Sequence, residues 1–519
     1  MKAIKIISSL LLATACLITV SCDDLLDIPQ HGVDTVDNFY NTDDHATQAI
    51  TAVYADFASI SFNYVFLKNT LGDDYWSGGG GRGDNNQLEQ MNEYTFDASH
   101  SYLSGIFQSY YSVIYRCNVV LDKVPADGSE VMQRARAEAK VFRAYAYIDL
   151  ISMWGTPPLV DHELEPSEYK QGNGDQAALW ALVEKDLTEA INSGVMHEKS
   201  SATDDSSYEI TKQFAEALLG KAYVFEKKWD DACTVLDKMI AEGKYALYQG
   251  KYEDLLMYTA ENNCESLFEI NRLNDPNNAF TNWTLLTAMI GWRGDRMNIP
   301  TSTGIYASCW GFLNPQKGLY DAFVSDEGAD GYRLNATMKS YDKLKALGIS
   351  IMDGKEMYGH EGYFMWKDRV LTGEFISGGW MSSHNNIRYM RYAEALLLAA
   401  EAHVMNGTSD KALTYVNQIR TRAKLSPLTS VTMDNVMLEK RLELCGEATR
   451  YQDMQRWGIA ASLLKDQGKK TPWFSSTGTV RWVEYNSGNG GYKTGKHELL
   501  PFPETEIQLN PNIKQNTGW

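Results

Sequence analysis

The sequence predicts a mainly α-helical protein in which tetratricopeptide-like helical hairpins form a scaffold, joined by long irregular regions with minor β-structure. Three observations carry that expectation. Apolar residues recur at three- and four-residue steps in many segments, the pattern of amphipathic helices. One pair of segments has the offsets of a tetratricopeptide hairpin. Two long stretches show no period at all.

The helical segments follow in order. Over 106–124, Tyr110, Ile114, Cys117, Leu121 and Val124 fall on one face. The next helix, 131–153, is rich in Ala and Arg and stops at Gly155-Thr156-Pro157-Pro158. A third covers 177–191. Within 211–241, Leu219-Gly220, Tyr223, Ala232 and Leu236 match the tetratricopeptide spacing. There the small residues let two antiparallel helices close, with Tyr223 and Leu236 wedged between them. Residues 391–407 and 409–422 repeat that arrangement, and 435–457 is expected as one further long helix. The scaffold therefore spans about 40–270 and 387–460. No Pro/Ser/Gly linker divides the chain, so 22–519 is expected to be a single unit. The aperiodic stretches are 71–99, Gly-rich around one Trp, and 271–386, aromatic and broken by Gly and Pro. Loops of that length in a compact protein usually carry function, so the binding surface is expected there.

The N-terminus has the three parts of a secretory signal over 1–21. Lys2 and Lys5 precede the apolar run Ile6 to Val20, and small Ser21 precedes Cys22. The run is shorter than the roughly 20 residues a spanning helix needs, and Asp23, Asp24 and Asp27 follow it. Thr19-Val20-Ser21-Cys22 resembles a bacterial lipobox, so Cys22 is the expected lipidation site. Acyl chains there would anchor the chain by burying methylenes at about 0.8 kcal/mol each. Ordinary secretion with an unmodified Cys22 is the alternative. Of the seven cysteines, Cys117, Cys233, Cys264, Cys309 and Cys445 then remain. Their odd number, wide spacing and lack of C-x-x-C indicate neither a disulfide framework nor a zinc site. No cofactor motif stands out, and no metal ligand is assigned.

A net charge of −19 and the lack of a basic run argue against nucleic acid or anionic lipid as partner. Thirteen Trp and 30 Tyr in an acidic exported chain point instead to sugar. Pyranose faces stack on rings, while their hydroxyls seek carboxylates, amides and Arg; many of these aromatics also simply fill the core. In the first aperiodic stretch the ligand candidates are Trp76 with Asp73, Asp74, Arg82, Asp84 and Asn85. In the second they are Trp283, Trp292, Arg293 and Trp310. The expected site has Trp76 and at least one of these later Trp residues partly exposed on one concave surface. Trp154 and Trp457 are assigned to the scaffold. Gly78-x-Gly80-x-x-Gly83 has the dinucleotide fingerprint but no expected strand before it or helix after it. Its glycines are read as letting backbone N–H groups approach a ligand. Arg441, Glu443, Glu394 and Glu401 are read as interhelical ion pairs. No H-E-x-x-H, G-x-S-x-G or Cys–His constellation supports catalysis, although two suitably placed carboxylates would suffice for a glycosidase.

Five segments together resemble the SusD/RagB lipoproteins of Bacteroidetes. These are the leader from Cys22 to Pro29; Glu138-Ala139 through Arg143-Ala144 to the Trp154–Leu159 turn; and Arg391 through Glu401-Ala402. The fourth is Glu439 through Glu447 with Arg450, Asp453, Arg456 and Trp457, and the fifth is the tail, 499–519. The resemblance implies an outer-membrane, cell-surface lipoprotein. It would act as the capturing lid of a SusC-type TonB-dependent barrel transporter, with an oligosaccharide or polysaccharide as ligand. An oligopeptide ligand is the family's alternative, and a glycoside hydrolase the remote one.

If lipid on Cys22 is the anchor, Cys22→Ala is expected to move the protein from the membrane fraction to the soluble one. Retention of the variant on membranes lacking the transporter would show a different anchor.

Overall fold

The computed structural model describes residues 39–204, 208–278, 285–379 and 382–519. The signal segment, Cys22 and its leader, and Trp283 lie outside the described residues. The first helices are α1 (Asp43–Ser59) and α2 (Ser61–Thr70). Strand β1 (Tyr75–Gly78) and α3 (Asn86–Glu93) follow within the Gly-rich stretch. Then come α4 (Ser101–Lys123), α5 (Glu130–Trp154) and α6 (Gln176–Asn192). Each starts where its sequence supplies a cap: Ser129 accepts from Met132 N and Asp175 from Ala178 N. Helix α5 stops at Gly155, whose φ of +80° ends the helical path.

The predicted hairpin is α7 (Lys212–Glu226) and α8 (Trp229–Ala241). Gly220 is what lets the two close, since a Cβ there would stand 2.4 Å from Leu236 Cγ. Ala232 and Leu236 are fully buried, whereas Tyr223 is half-buried at the edge. The second hairpin, α9 (Tyr392–Met405) and α10 (Ser409–Arg422), packs against α8 and α7. The expected long helix 435–457 is instead two, α11 (Met433–Leu444) and α12 (Arg450–Arg456). Gly446 and Ala448 between them take left-handed φ of +82° and +59°. The break turns Glu447 towards Arg391 and Lys367, a contact no periodicity rule registers.

The tail explains its own signature. Trp154, fully buried at the end of α5, donates its indole N–H to Pro501 O at 2.8 Å. Asn516 returns two amide bonds, to Trp154 O and Leu500 O. Carbonyls that a helix end leaves unpaired are thus met by the last residues of the chain. Trp457, assigned to the scaffold, is half-buried, donates to Glu401 and lies 4.8 Å from the Arg456 guanidinium.

The second aperiodic stretch is less loop-like than its sequence suggests. It forms a small layer with its own core of Trp292, Met297, Ile305, Tyr341, Leu344, Ile351, Met357 and Phe364, closed by Phe474. Strand β2 (Ser266–Ile270) pairs antiparallel with β5 (Ile387–Arg391), tying the layer's two ends to the helices. Strand β3 (Phe312–Pro315) pairs with β1, placing Trp76 opposite Asn314. Strand β4 (Glu356–Tyr358) pairs with β6 (Thr471–Ser475), which turns back as β7 (Val480–Val483).

Between β5, α10 and α11 lies a buried ionic lattice. Arg391 pairs with Glu265, Glu443 and Glu447. Glu443 also meets Arg422, and Arg333 bridges Glu439 and Glu443. The expected structural role of Glu443 is borne out, as are those of Glu394, paired with Lys221, and Glu401, paired with Arg456. Burial disfavours the charged Glu443, but Arg422, Arg391 and Arg333 outweigh it and hold its carboxyl down at about 2.

Glu443→Gln is expected to cost about 3–5 kcal/mol by stranding buried guanidinium groups. Because the folded carboxyl titrates below its unfolded value of about 4.3, its contribution is complete above that pH. It is lost as pH falls towards about 2. Urea midpoints measured across that range should decline more steeply for the wild type than for the variant; parallel profiles would refute this assignment.

Candidate functional site

The sequence candidates separate into three places. Asp73 and Asp74 do not face a ligand cleft. Asp73 receives Arg450 at 2.8 Å, and buried Asp74 receives Arg441 at 2.7 Å. Burial pushes the Asp74 carboxyl up against the pull of Arg441, so it is spent on fixing the start of β1 to α11 and α12. Trp292 is only 7% exposed and belongs to the second core, packed near Phe364 and Trp366. Trp310 is half-buried against the main core, and its carbonyl accepts from Arg293 at 3.0 Å. Trp76, 6% exposed, lacks the expected exposure, and of the later tryptophans Trp310 is partly exposed while Trp292 is not, because Trp76 and Trp292 fill apolar space between layers.

Trp76, Arg82, Asp84 and Arg293 do come together around the Gly-rich turn. Gly78, Gly79 and Gly80 lie flat on β3 and Arg293. Added Cβ atoms would stand 2.4 Å from Gly311 O, 2.7 Å from Phe312 and 2.9 Å from Arg293 Nη1 respectively. The turn does follow a strand and lead to a helix, contrary to the sequence reading, but its N–H groups point inward. Gly79 N donates to Gly311 O, Gly80 N to Asp84 and Gly83 N to Glu89. A phosphate would meet a carboxylate there, and β1 pairs antiparallel with β3 rather than in a βαβ unit. The glycines thus serve close packing, not ligand approach. Asn85 caps α3 and donates to Tyr102.

What the Gly-rich turn borders is an aromatic corner contributed largely by the C-terminal hairpin. Trp482 on β7 is 48% exposed, and its ring meets Trp76 at 5.8 Å and 70°. Trp76 donates its indole N–H to Glu361 at 2.9 Å, and the same oxygen accepts from Lys317 N. On β6, half-buried Trp473 donates to Tyr485 and carries the Arg481 guanidinium at 4.7 Å. Arg481 in turn pairs with Glu356, holding that carboxyl below its usual range. Arg82 covers the Tyr485 ring at 4.7 Å while pairing with Glu93 and Glu89, and Asn486 accepts from it at 3.3 Å. In the ribbon Trp482 stands opposite Pro472 and Arg481 opposite Trp473, so the exposed indole braced by Trp76 lies on one face and the mutually paired Trp473, Arg481, Tyr485 and Arg82 on the other. Such a surface can stack a flat apolar face and hydrogen-bond its rim. Trp473, Trp482, Tyr485, Arg481 and Glu361 were missed in the sequence. The signal was available: Ser475-Ser476-Thr477-Gly478-Thr479 between alternating aromatic and aliphatic residues is a hairpin pattern.

A separate cavity of about 130 Å³ is lined by Tyr64, Tyr75, Arg272, Asp368 and Glu374 among others. Burial pushes the Asp368 and Glu374 carboxyls up to about 6 and about 7.

Comparison with known proteins gives consistent matches. The sequence profile of the SusD family matches residues 351–519. A second profile, described as starch-binding associating with outer membrane, matches 36–225. A SusD-like protein of Bacteroides ovatus is 25% identical, spanning 98% of this chain and 97% of its own. SusD-like protein P25 of Formosa agariphila is 22% identical over 99% and 98%. Among solved structures, a laminarin-binding SusD-like protein superposes with a TM-score of 0.77 at 27% identity, covering 92% of this chain and all of its own. Surface glycan-binding protein A of Bacteroides thetaiotaomicron, in complex with laminarihexaose, gives 0.74 at 24% identity over 91% and 99%.

Proposed function

Because the chain belongs to the SusD/RagB family, we propose that it is a glycan-binding protein whose ligand stacks on Trp482 at the corner with Trp76. The observation that carries this reading is the exposure of Trp482. A large indole held half in solvent, with its neighbour's N–H fixed by Glu361, is apolar surface that folding left uncovered. A pyranose ring can cover it, with the Glu361 carboxylate held beside it by the Trp76 indole. The laminarin-binding relative of like fold supports the ligand class. The further parts of the reading rest on the family: a lipid anchor at Cys22, display on the outer-membrane surface, and capture for a SusC-type TonB-dependent importer. The role is binding without catalysis. Carboxylates at the corner are engaged by fixed donors, Glu361 by Trp76 and Lys317 N, and Glu356 by Arg481. A glycosidase instead needs one of a pair kept protonated.

Removing the exposed ring should cost binding but not folding. Trp482→Ala is expected to weaken affinity by about 1–3 kcal/mol, by analogy with stacking on other aromatic platforms, or roughly ten- to a hundred-fold. Its Tm should stay near wild type. Trp292→Ala should do the reverse, losing several degrees of Tm because it opens the second core. Calorimetry with laminarihexaose and a wider glycan panel, beside thermal melts, checks both. A panel that fails while oligopeptides bind would move the ligand class to peptide.

Overnight incubation with a glycan that binds should leave its chain-length profile unchanged. Reproducible shortening by pure protein would replace the capture reading with hydrolysis.

A further inference from the structure

Far along the chain from the aromatic corner, three potential metal ligands converge where His197 and Glu209 meet α5 beside Tyr54 of α1. One ring nitrogen of His197 and one carboxylate oxygen each from Glu138 and Glu209 all lie within 4.8 Å of one another. Their placement is built into the fold. Glu138 projects from α5 and is only 3% exposed. His197 is fixed by its parallel bridge to Thr211, its carbonyl accepting Lys212 N at 2.8 Å. Glu209 lies two residues before Thr211, the cap of α7, and pairs with His197.

The charges around Glu138 do not balance within the protein. Its hydrogen-bond partner is Tyr54, a neutral hydroxyl that is itself held by Ile210 N at 2.8 Å. Arg134, the guanidinium whose charge reaches it, is committed to Glu130 and to Val195 O. Among the described residues no lysine or arginine forms an ion pair with Glu138. A buried carboxylate beside a second carboxylate is costly unless a cation faces both.

We infer that Glu138, His197 and Glu209 form a divalent-cation site that fastens the segment before α7 to α5. The donor set selects the ion. One imidazole nitrogen with two carboxylates suits zinc, which binds such donors at about 2.0–2.2 Å, so its ligand atoms stand no more than about 4.4 Å apart. Calcium and magnesium favour oxygen alone. Two carboxylates and a neutral imidazole also match the charge of the ion. His197 and Glu209 are partly exposed, which leaves solvent access and an entry path. The site holds structure rather than chemistry: it joins α5 to the start of the first hairpin, and it involves none of the residues at the aromatic corner.

The test uses tag-free mature protein stripped with chelator, titrated with Zn²⁺ at neutral pH by calorimetry and followed by thermal melts. The wild type is expected to take up one equivalent and to gain a few degrees of Tm at saturation. His197→Ala, at a half-exposed position, should keep the apo Tm and circular dichroism, lose affinity at least ten-fold, and lose the zinc-dependent rise. Glu138→Gln should lose the rise as well; should it fail to fold, the His197 variant decides alone. Affinity for Ca²⁺ should be far weaker. No uptake by the wild type, or uptake that His197→Ala leaves intact, overturns the assignment.

Discussion

Arg391 and Glu443 sit at the centre of the fold, and most of its architecture can be described by what they join. Arg391 ends strand β5 and reaches Glu265 on the segment leading into β2, Glu443 on α11 and Glu447 in the break after α11. Glu443 is shared with Arg422 of α10 and with Arg333 of the second layer. Charges taken out of water like this cost several kcal/mol each, and mutual attraction offsets the cost only if every partner is in place. The lattice therefore works as a register lock. A hairpin shifted by one turn, or a second layer docked differently, would strand a buried charge.

That lock extends to the aromatic corner through one helix. Arg441 lies two residues from Glu443 on α11, so the two side chains leave on different faces. Glu443 enters the lattice, while Arg441 grips Asp73 and Asp74 at the root of β1. Arg450 on α12 adds a second hold on Asp73. Strand β1 then delivers Trp76 against Trp482 with its indole N–H already committed to Glu361. A ligand would thus meet a surface ordered in advance, which saves the entropy of ordering loops on binding.

The second layer supplies the other wall. Its small core is closed by Phe474 of β6, so the hairpin that displays Trp482 and Trp473 rests on packed side chains. The same packing explains why Trp292 lies inside. With Phe364 and Trp366 around it, the ring serves the layer's stability. Aromatic content announces a sugar-binding chemistry without saying which rings remain outside.

By itself the sequence determined the helical scaffold, because amphipathic spacing, caps and small residues at the hairpin crossing are local signals. Gly220 against Leu236 and the stop at Gly155 could be read directly. It also marked Glu394, Glu401, Arg441 and Glu443 as structural, since charges on otherwise apolar helix faces need partners. It offered Trp76, Arg82 and Asp84 from one aperiodic stretch and Arg293 from the other as candidates for one binding surface. Tertiary structure decided what local rules cannot carry: that Asp73 and Asp74 are taken by arginines more than 360 residues away, and that 435–457 breaks so that Glu447 can reach Arg391. It decided too that the exposed ring comes from a hairpin near the C-terminus. Burial depends on which distant segments arrive to cover a side chain, and that information is written in the packing of the whole chain rather than in the neighbours of any one residue.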